Sequence, residues 1–182
     1  AYNQASRGNG FIEEFAINDE STRSLISLYG DLCDDLHTDL HECLGHGSGQ
    51  LLPGVSADAL GSYGSTIEEA RADLFGLYYI ADPKLVQLGL TPNVEAYRSQ
   101  YYTYMMNGLL TQLTRIKPGH QIEEAHMRNR ALIARWVLSH YPNAVQLVLQ
   151  EGKTRVQISD YEHLRDAFAA LRGEIQRIKS EG

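Results

Sequence analysis

The residue types best suited to chemistry lie in His41-Glu42-Cys43-Leu44-Gly45-His46 and, a short way downstream, in Glu68-Glu69-Ala70-Arg71-Ala72-Asp73. Two imidazoles flank a carboxylate and a cluster of acids follows, the donor set of a metal site that activates water. In the familiar His-Glu-x-x-His arrangement the histidines are four apart and share a helix face. Here they are five apart, which on a regular helix separates them by about 140°, too far to share one ion. A one-residue π-bulge would absorb the extra residue, and Gly45 is the residue best able to tolerate one. Catalytic zinc takes three protein ligands and keeps one position open. His41 and His46 supply two, and the third can come from Glu68, Glu69 or Asp73. Glu69 and Asp73 are four apart and share a face, so one can ligate while the other hydrogen-bonds a ligand imidazole. Glu42 points off the ligand face, placed to take a proton from water.

His-Glu-x-x-Gly-His followed by Glu-Glu-x-Arg-x-Asp resembles the paired signature of the dipeptidyl peptidase III family of zinc metallopeptidases. The resemblance implies one zinc ion held by His41, His46 and Glu69, with Glu42 as general base and Glu68 and Asp73 as partners of the ligand histidines. Asp73 stands where many members have Glu. The likeness extends through Gly47-Ser48-Gly49 to Glu124-Ala125-His126-Met127, where the family has a histidine that assists the transition state. His126 is on that basis a donor to the developing oxyanion, although periodicity alone reads it as a buried structural residue. Arg130, one turn further, would orient substrate or form a surface ion pair. The resemblance also implies an oligopeptide substrate, cut to release a dipeptide from its N-terminus.

Other readings of the same residues compete with these. His37 and His41 are four apart and form an alternative pair, which the downstream acids disfavour. Ser65-Thr66-Ile67-Glu68 is a capping box that would engage Glu68 at a helix start. Gly45-x-Gly47-x-Gly49 follows a helix instead of preceding one, against a phosphate-binding loop.

The elements that must position these residues are mostly helical. Phe11 to Ile17 reads as a short strand or extended arm. Asn18-Asp19-Glu20-Ser21 starts a long helix on which Leu25, Leu28, Tyr29, Leu32, Leu36, Leu40 and Leu44 form the core stripe and Asp31, Asp34, Asp35 and Asp39 a solvated face. A loop from Leu51 to Tyr63 turns the chain back into a second helix, from about Thr66 to Ile80, stopped at Asp82-Pro83. Further helices are expected near Pro83 to Leu88, from Val94 to Ile116 with Tyr97, Tyr101, Tyr102 and Tyr104 as packing residues, and from Gln121 to His140 with Ile122, Ile133, Trp136 and Val137 as its apolar face. Lys117-Pro118-Gly119 breaks the chain between them. Another helix is expected from Tyr141 or Pro142 to Gln150, then a short strand at Arg155-Val156-Gln157-Ile158, and a last helix to about Lys179 opened by the capping box Ser159-Asp160-Tyr161-Glu162.

The fold expected is therefore mainly α, a single multi-helix domain over residues 1–182 with one or two short strands and the zinc site between two helices. With 182 residues, 43% of them hydrophobic, the chain can bury one core, and it has no apolar run of the ~20 residues a membrane helix needs. A net charge of −7 spread along the sequence argues against a nucleic-acid partner. Cys33 and Cys43 would lie about 15 Å apart on one helix, beyond disulfide reach, and read as reduced core residues. Ala1-Tyr2-Asn3-Gln4 has neither a basic start nor an apolar stretch, which leads to a cytoplasmic expectation. Both ends read as cuts through a longer chain, an excised piece that can hold zinc without being active. Two rival functions stand: a helical binding module braced by a structural metal with Cys43 as fourth ligand, and a zinc hydrolase of non-peptide amides. Oligomeric state and peptide preference are not legible.

Overall fold

The computed structural model describes residues 9–56, 58–115 and 125–181. Among the described residues there are seven α-helices, one of them central, and one β-hairpin. Their order is α1 (Asn9–Phe15), α2 (Glu20–Leu40), a π-helical segment (His41–His46), α3 (Gly64–Ile80), α4 (Pro83–Gln87), α5 (Tyr97–Leu109), α6 (Ala125–His140), β1 (Val145–Gln150), β2 (Lys153–Ile158) and α7 (Tyr161–Glu181), with short 3-10 turns at Gly61–Tyr63 and Thr111–Arg115.

The centre is α3, which packs against α2, the π-helical segment, α6 and α7. Ala70, Ala72, Leu74, Gly76, Leu77 and Ile80 bury on several of its sides, as a helix enclosed by others requires. Its small residues let neighbours close in. A Cβ on Gly76 would stand 2.5 Å from the His37 ring of α2. The core continues through Tyr101, Tyr102, Tyr104 and Met105 of α5, Ile133 and Val137 of α6, and Leu164, Phe168, Leu171 and Ile175 of α7. The tyrosines of α5 are thus packing residues, as expected. Among the described residues no helix is long and apolar enough to cross a membrane.

Several local expectations are corrected. The segment from Phe11 is helical, because Ile12 and Phe15, about one turn apart, both reach the core; only Ala16 is extended, bridging Val156 of β2. α2 starts with Asp19 accepting from the Thr22 amide at 2.9 Å, but only part of its expected stripe faces the core. Leu28, Leu32 and Leu44 are exposed, while Cys33 and His37 are buried and Ile26, Tyr29, Leu36 and Leu40 pack beside them. Cys33 is a buried free thiol, whereas Cys43 is free and exposed.

The helix expected up to Gln150 is instead β1, paired antiparallel with β2 from Val145↔Ile158 to Gln150↔Lys153. Glu151 and Gly152 connect them with φ of 53° and 74°, the two positive values of the tight turn that matches hairpin twist. The cap of α7 is Asp160, whose carboxylate accepts from the His163 amide at 2.9 Å, and Ser159 turns to Gln146 instead. The helix expected from Gln121 is described from Ala125; Ile122, Glu124 and Lys117-Pro118-Gly119 lie outside the described residues.

Candidate metal centre

The extra residue between His41 and His46 is absorbed where the spacing requires it. The α-helical pattern of α2 gives way at His41 to a π-helical segment that ends at His46. The wider turn brings residues five apart into line, and the two Nε2 atoms face each other at 3.0 Å. Gly45 serves this turn by close approach. Its φ is not positive, and a Cβ there would sit 2.6 Å from both Cα and Cβ of Ala72. The glycine lets the histidine segment lie directly on α3.

From α3 three carboxylates meet the histidines. Asp73 Oδ1 accepts from His41 Nδ1 at 2.6 Å, and Glu68 Oε1 accepts from His46 Nδ1 at 3.0 Å. A carboxylate only accepts, so each Nδ1 carries the proton and each Nε2 presents a lone pair. Glu69 completes the set, its Oε2 3.3 Å from His41 Nε2 and its Oε1 3.6 Å from His46 Nε2. Its Oε2 is buried and accepts no hydrogen bond; His41 and the His126 Nδ1 at 3.1 Å are near enough but not aligned to donate. Two lone pairs face a carboxylate with one orphaned oxygen at close range, which is favourable only with positive charge between them.

The ligand atoms of His41, Glu42 and His46 also all lie within 4.8 Å of one another. Distance alone therefore does not separate Glu42 from Glu69. Environment does: Glu42 is exposed, whereas Glu69 is largely buried and spans both Nε2 atoms.

The shell behind these groups is anchored by buried polar residues, most of which no sequence pattern singled out. Arg71, wholly buried, grips Glu68 through Nε at 3.1 Å and Nη2 at 2.9 Å and donates to Gly45 O at 2.7 Å. Lys179 of α7 also donates to Glu68. The capping-box role of Glu68 is thus displaced: α3 begins at Gly64 without a side-chain cap, and Glu68 is committed to His46, Arg71 and Lys179. Burial alone would raise the Glu68 carboxyl, but these three donors bring its pKa down to about 2. Asp73 is buried more deeply, which also works against its charge; the His41 hydrogen bond and the nearby His37 and Arg130 hold it well below the usual carboxylate range. Burial opposes charge on His41, yet Asp73, Glu69 and Glu42 together raise its pKa above the ordinary value.

The alternative histidine pair dissolves in the structure. His37 is buried, its Nε2 on the Asp73 carbonyl at 3.1 Å and its Nδ1 on the Gln100 amide at 2.9 Å, so both ring nitrogens are committed. Burial pushes its pKa down. His126, which periodicity read as buried, stands with 66% of its side chain exposed at the mouth of the site, its ring 6.3 Å from that of His41. Arg130 is half-buried, its guanidinium 5.9 Å from the centre of the Tyr104 ring and its Nε without a partner.

A helical domain with two histidines and a carboxylate converging between helices defines a class of candidate metal-dependent hydrolases, and comparison narrows it. Residues 55–178 match the profile of Peptidase family M49, and the chain belongs to that family. A comparison with curated proteins finds no match. Among solved structures the chain is similar to DPP III from Caldithrix abyssi, with a TM-score of 0.70 and 23% identity over 95% of this chain. It spans 30% of the length of that structure, and the likeness carries the fold.

Proposed function

We propose that this chain is the zinc-binding region of a peptidase that hydrolyses oligopeptides, releasing dipeptides from their N-termini. The observation that carries the proposal is the meeting of His41 Nε2, His46 Nε2 and the Glu69 carboxylate, with 3.0 Å between the two nitrogens, 3.3 Å from His41 Nε2 to Glu69 Oε2 and 3.6 Å from His46 Nε2 to Glu69 Oε1. Ligand atoms about 2.0–2.1 Å from a tetrahedral zinc would be about 3.3 Å apart, so the donor set fits one such ion per chain. When bound, zinc lowers the pKa of water toward neutrality and polarises a carbonyl.

The chain's own groups divide the remaining work. Asp73 and Glu68 hold the two Nδ1 protons and aim the Nε2 lone pairs. Exposed Glu42 takes a proton from the attacking water on its carboxylate and returns it to the leaving amine as the C–N bond breaks. His126, open to solvent beside Glu69, donates a ring N–H to the oxyanion that develops on the scissile carbonyl. Arg130, with an unpartnered Nε one turn along, is the residue we assign to orienting the peptide. Residues 1–182 act as one helical domain in this reading, and the N-terminal dipeptide specificity rests on the family resemblance. A structural metal site would need a further protein ligand, but Cys43 is exposed and stands outside the donor cluster of the described residues.

Elemental analysis of the purified chain tests this. About one zinc per chain is expected in the parent, lost in Glu69→Ala and kept in Glu42→Gln. In the full-length protein that carries this region, cleavage of dipeptidyl-arylamides, measured against other amides, should vanish in Glu42→Gln. A parent that stays metal-free when zinc is supplied, or Glu69→Ala that binds as tightly as the parent, refutes the assignment.

A further inference from the structure

Behind the ligand histidine is a buried clamp that the reaction scheme leaves unused. Asp73 turns one oxygen to His41. Its other oxygen, Oδ2, accepts from the Tyr104 hydroxyl at 2.9 Å and from Asn129 Nδ2 at 2.9 Å. All three residues are buried, Asn129 completely. The two donors come from different helices, Tyr104 from α5 and Asn129 from α6, and converge on a carboxylate of α3. Since the acceptor is a carboxylate, the amide must present its nitrogen, which leaves Asn129 Oδ1 buried without a partner. An amide kept in the core with one end unsatisfied is a cost, and what Nδ2 does for Asp73 offsets it. The Tyr104 hydroxyl stays protonated, since burial and the adjacent Asp73 raise its pKa well above the ordinary value.

We propose that Tyr104 and Asn129 are positioning residues, which lock the Asp73 carboxylate onto His41 Nδ1 and thereby set the affinity of the site for its metal. The proposal rests on the zinc reading above. Partners behind a metal ligand fix its tautomer and ring orientation and typically control 10–100-fold in metal affinity. Here the control acts one step further back. A carboxylate with a free second oxygen can rotate away from the imidazole; one pinned by two donors cannot. Asn129 has a second consequence, because it lies one turn from His126 on α6. The bond that pins Asp73 also ties the helix bearing His126 to the helices that bear the ligands.

The test is zinc affinity of the whole chain by competition with a chromogenic chelator at fixed pH, together with thermal denaturation of the metal-free forms. The variants are Tyr104→Phe and Asn129→Leu, and the control is Tyr101→Phe. Tyr101 is equally buried on the same helix, and its hydroxyl donates to the Leu77 carbonyl at 2.7 Å, away from Asp73. Tyr104→Phe and Asn129→Leu should each weaken zinc binding by about tenfold, whereas Tyr101→Phe should lower thermal stability and leave zinc affinity at the parent value. If Asn129→Leu does not fold, Tyr104→Phe alone decides. Parent-like zinc binding in Tyr104→Phe, or an equal loss in Tyr101→Phe, overturns the proposal while leaving the zinc reading intact. A parent that binds no zinc overturns both.

Discussion

Gly45→Ala should damage the site through one methyl group. A Cβ at Gly45 would lie 2.6 Å from Ala72 Cα, 2.6 Å from Ala72 Cβ and 2.9 Å from Ala72 O. Non-bonded carbons prefer about 3.5–4.0 Å, so the π-helical segment and α3 must separate by roughly 1 Å. Two of the three obstructing atoms are backbone, and no side-chain rotation relieves them. Overpacking of this kind costs about 1–3 kcal/mol, equivalent to about 2–12 °C in melting temperature for a chain of this size. The functional loss should exceed the structural one, because His46 rides on the displaced segment while Glu69 stays on α3, and metal–ligand distances tolerate only about 0.2 Å. Calorimetry of the metal-free protein and zinc titration check the two parts. Ala72→Gly should not rescue the variant, since Ala72 Cα remains as close as its Cβ. Parent-like stability and zinc affinity in Gly45→Ala, or full rescue by Ala72→Gly, would refute the close-approach argument.

Two further outcomes concern pH. His37 is held neutral by burial, its pKa below the ordinary 6.5; below that pH the unfolded chain gains a proton that the folded chain refuses, so stability falls as pH drops, by up to about 1.4 kcal/mol per pH unit. Denaturant titrations of metal-free parent and His37→Gln should diverge below that pH, and parallel curves would count against the assignment. Glu68 has the opposite starting point, a depressed carboxylate whose stabilisation is present above 4.5 and lost as pH falls toward about 2. Lys179→Met should leave the start of that acid loss near 4.5 but end it at a higher pH and make it smaller, with an effect at neutral pH below about 1 kcal/mol, because both side chains are partly exposed and screened; it is read from denaturant titrations at a series of acid pH values followed by circular dichroism.

What was legible in the sequence was whatever local geometry decides. Five-residue spacing between two residues that must share one ion leaves a helix few options, and the π-helical segment followed from that alone. Glu69 and Asp73 faced the histidines because four residues make about one turn. The misreadings arose where tertiary partners decide. Val145 to Gln150 is too short and too apolar for periodicity to separate helix from strand; the discriminating signal was the Glu151-Gly152 pair between two equal runs, which a two-residue hairpin turn can use. Leu28 and Leu32 sit at helical spacing yet point to solvent, because α3 and α5 claim the face of Cys33 and His37 instead. Glu68 fitted a capping box until Arg71 and Lys179 competed for it. Tyr104 and Asn129 carried no signal, since nothing in their own segments reveals a buried carboxylate on another helix.

The wide turn that the histidine spacing demands is stabilised by the residue that also fixes a ligand. Gly45 O, near the end of the π-helical segment, accepts from Arg71 Nη2 and from the Ser48 amide and hydroxyl. The same guanidinium holds both oxygens of Glu68, and Glu68 holds His46. On its far side Arg71 reaches Gln176 of α7 at 3.4 Å, the helix that also sends Lys179 to Glu68. A fully buried guanidinium is tolerated only when its donors are engaged, so Arg71 couples three elements far apart in the sequence. The hydrogen bonds behind His46 are therefore complete only with α7 packed on α3.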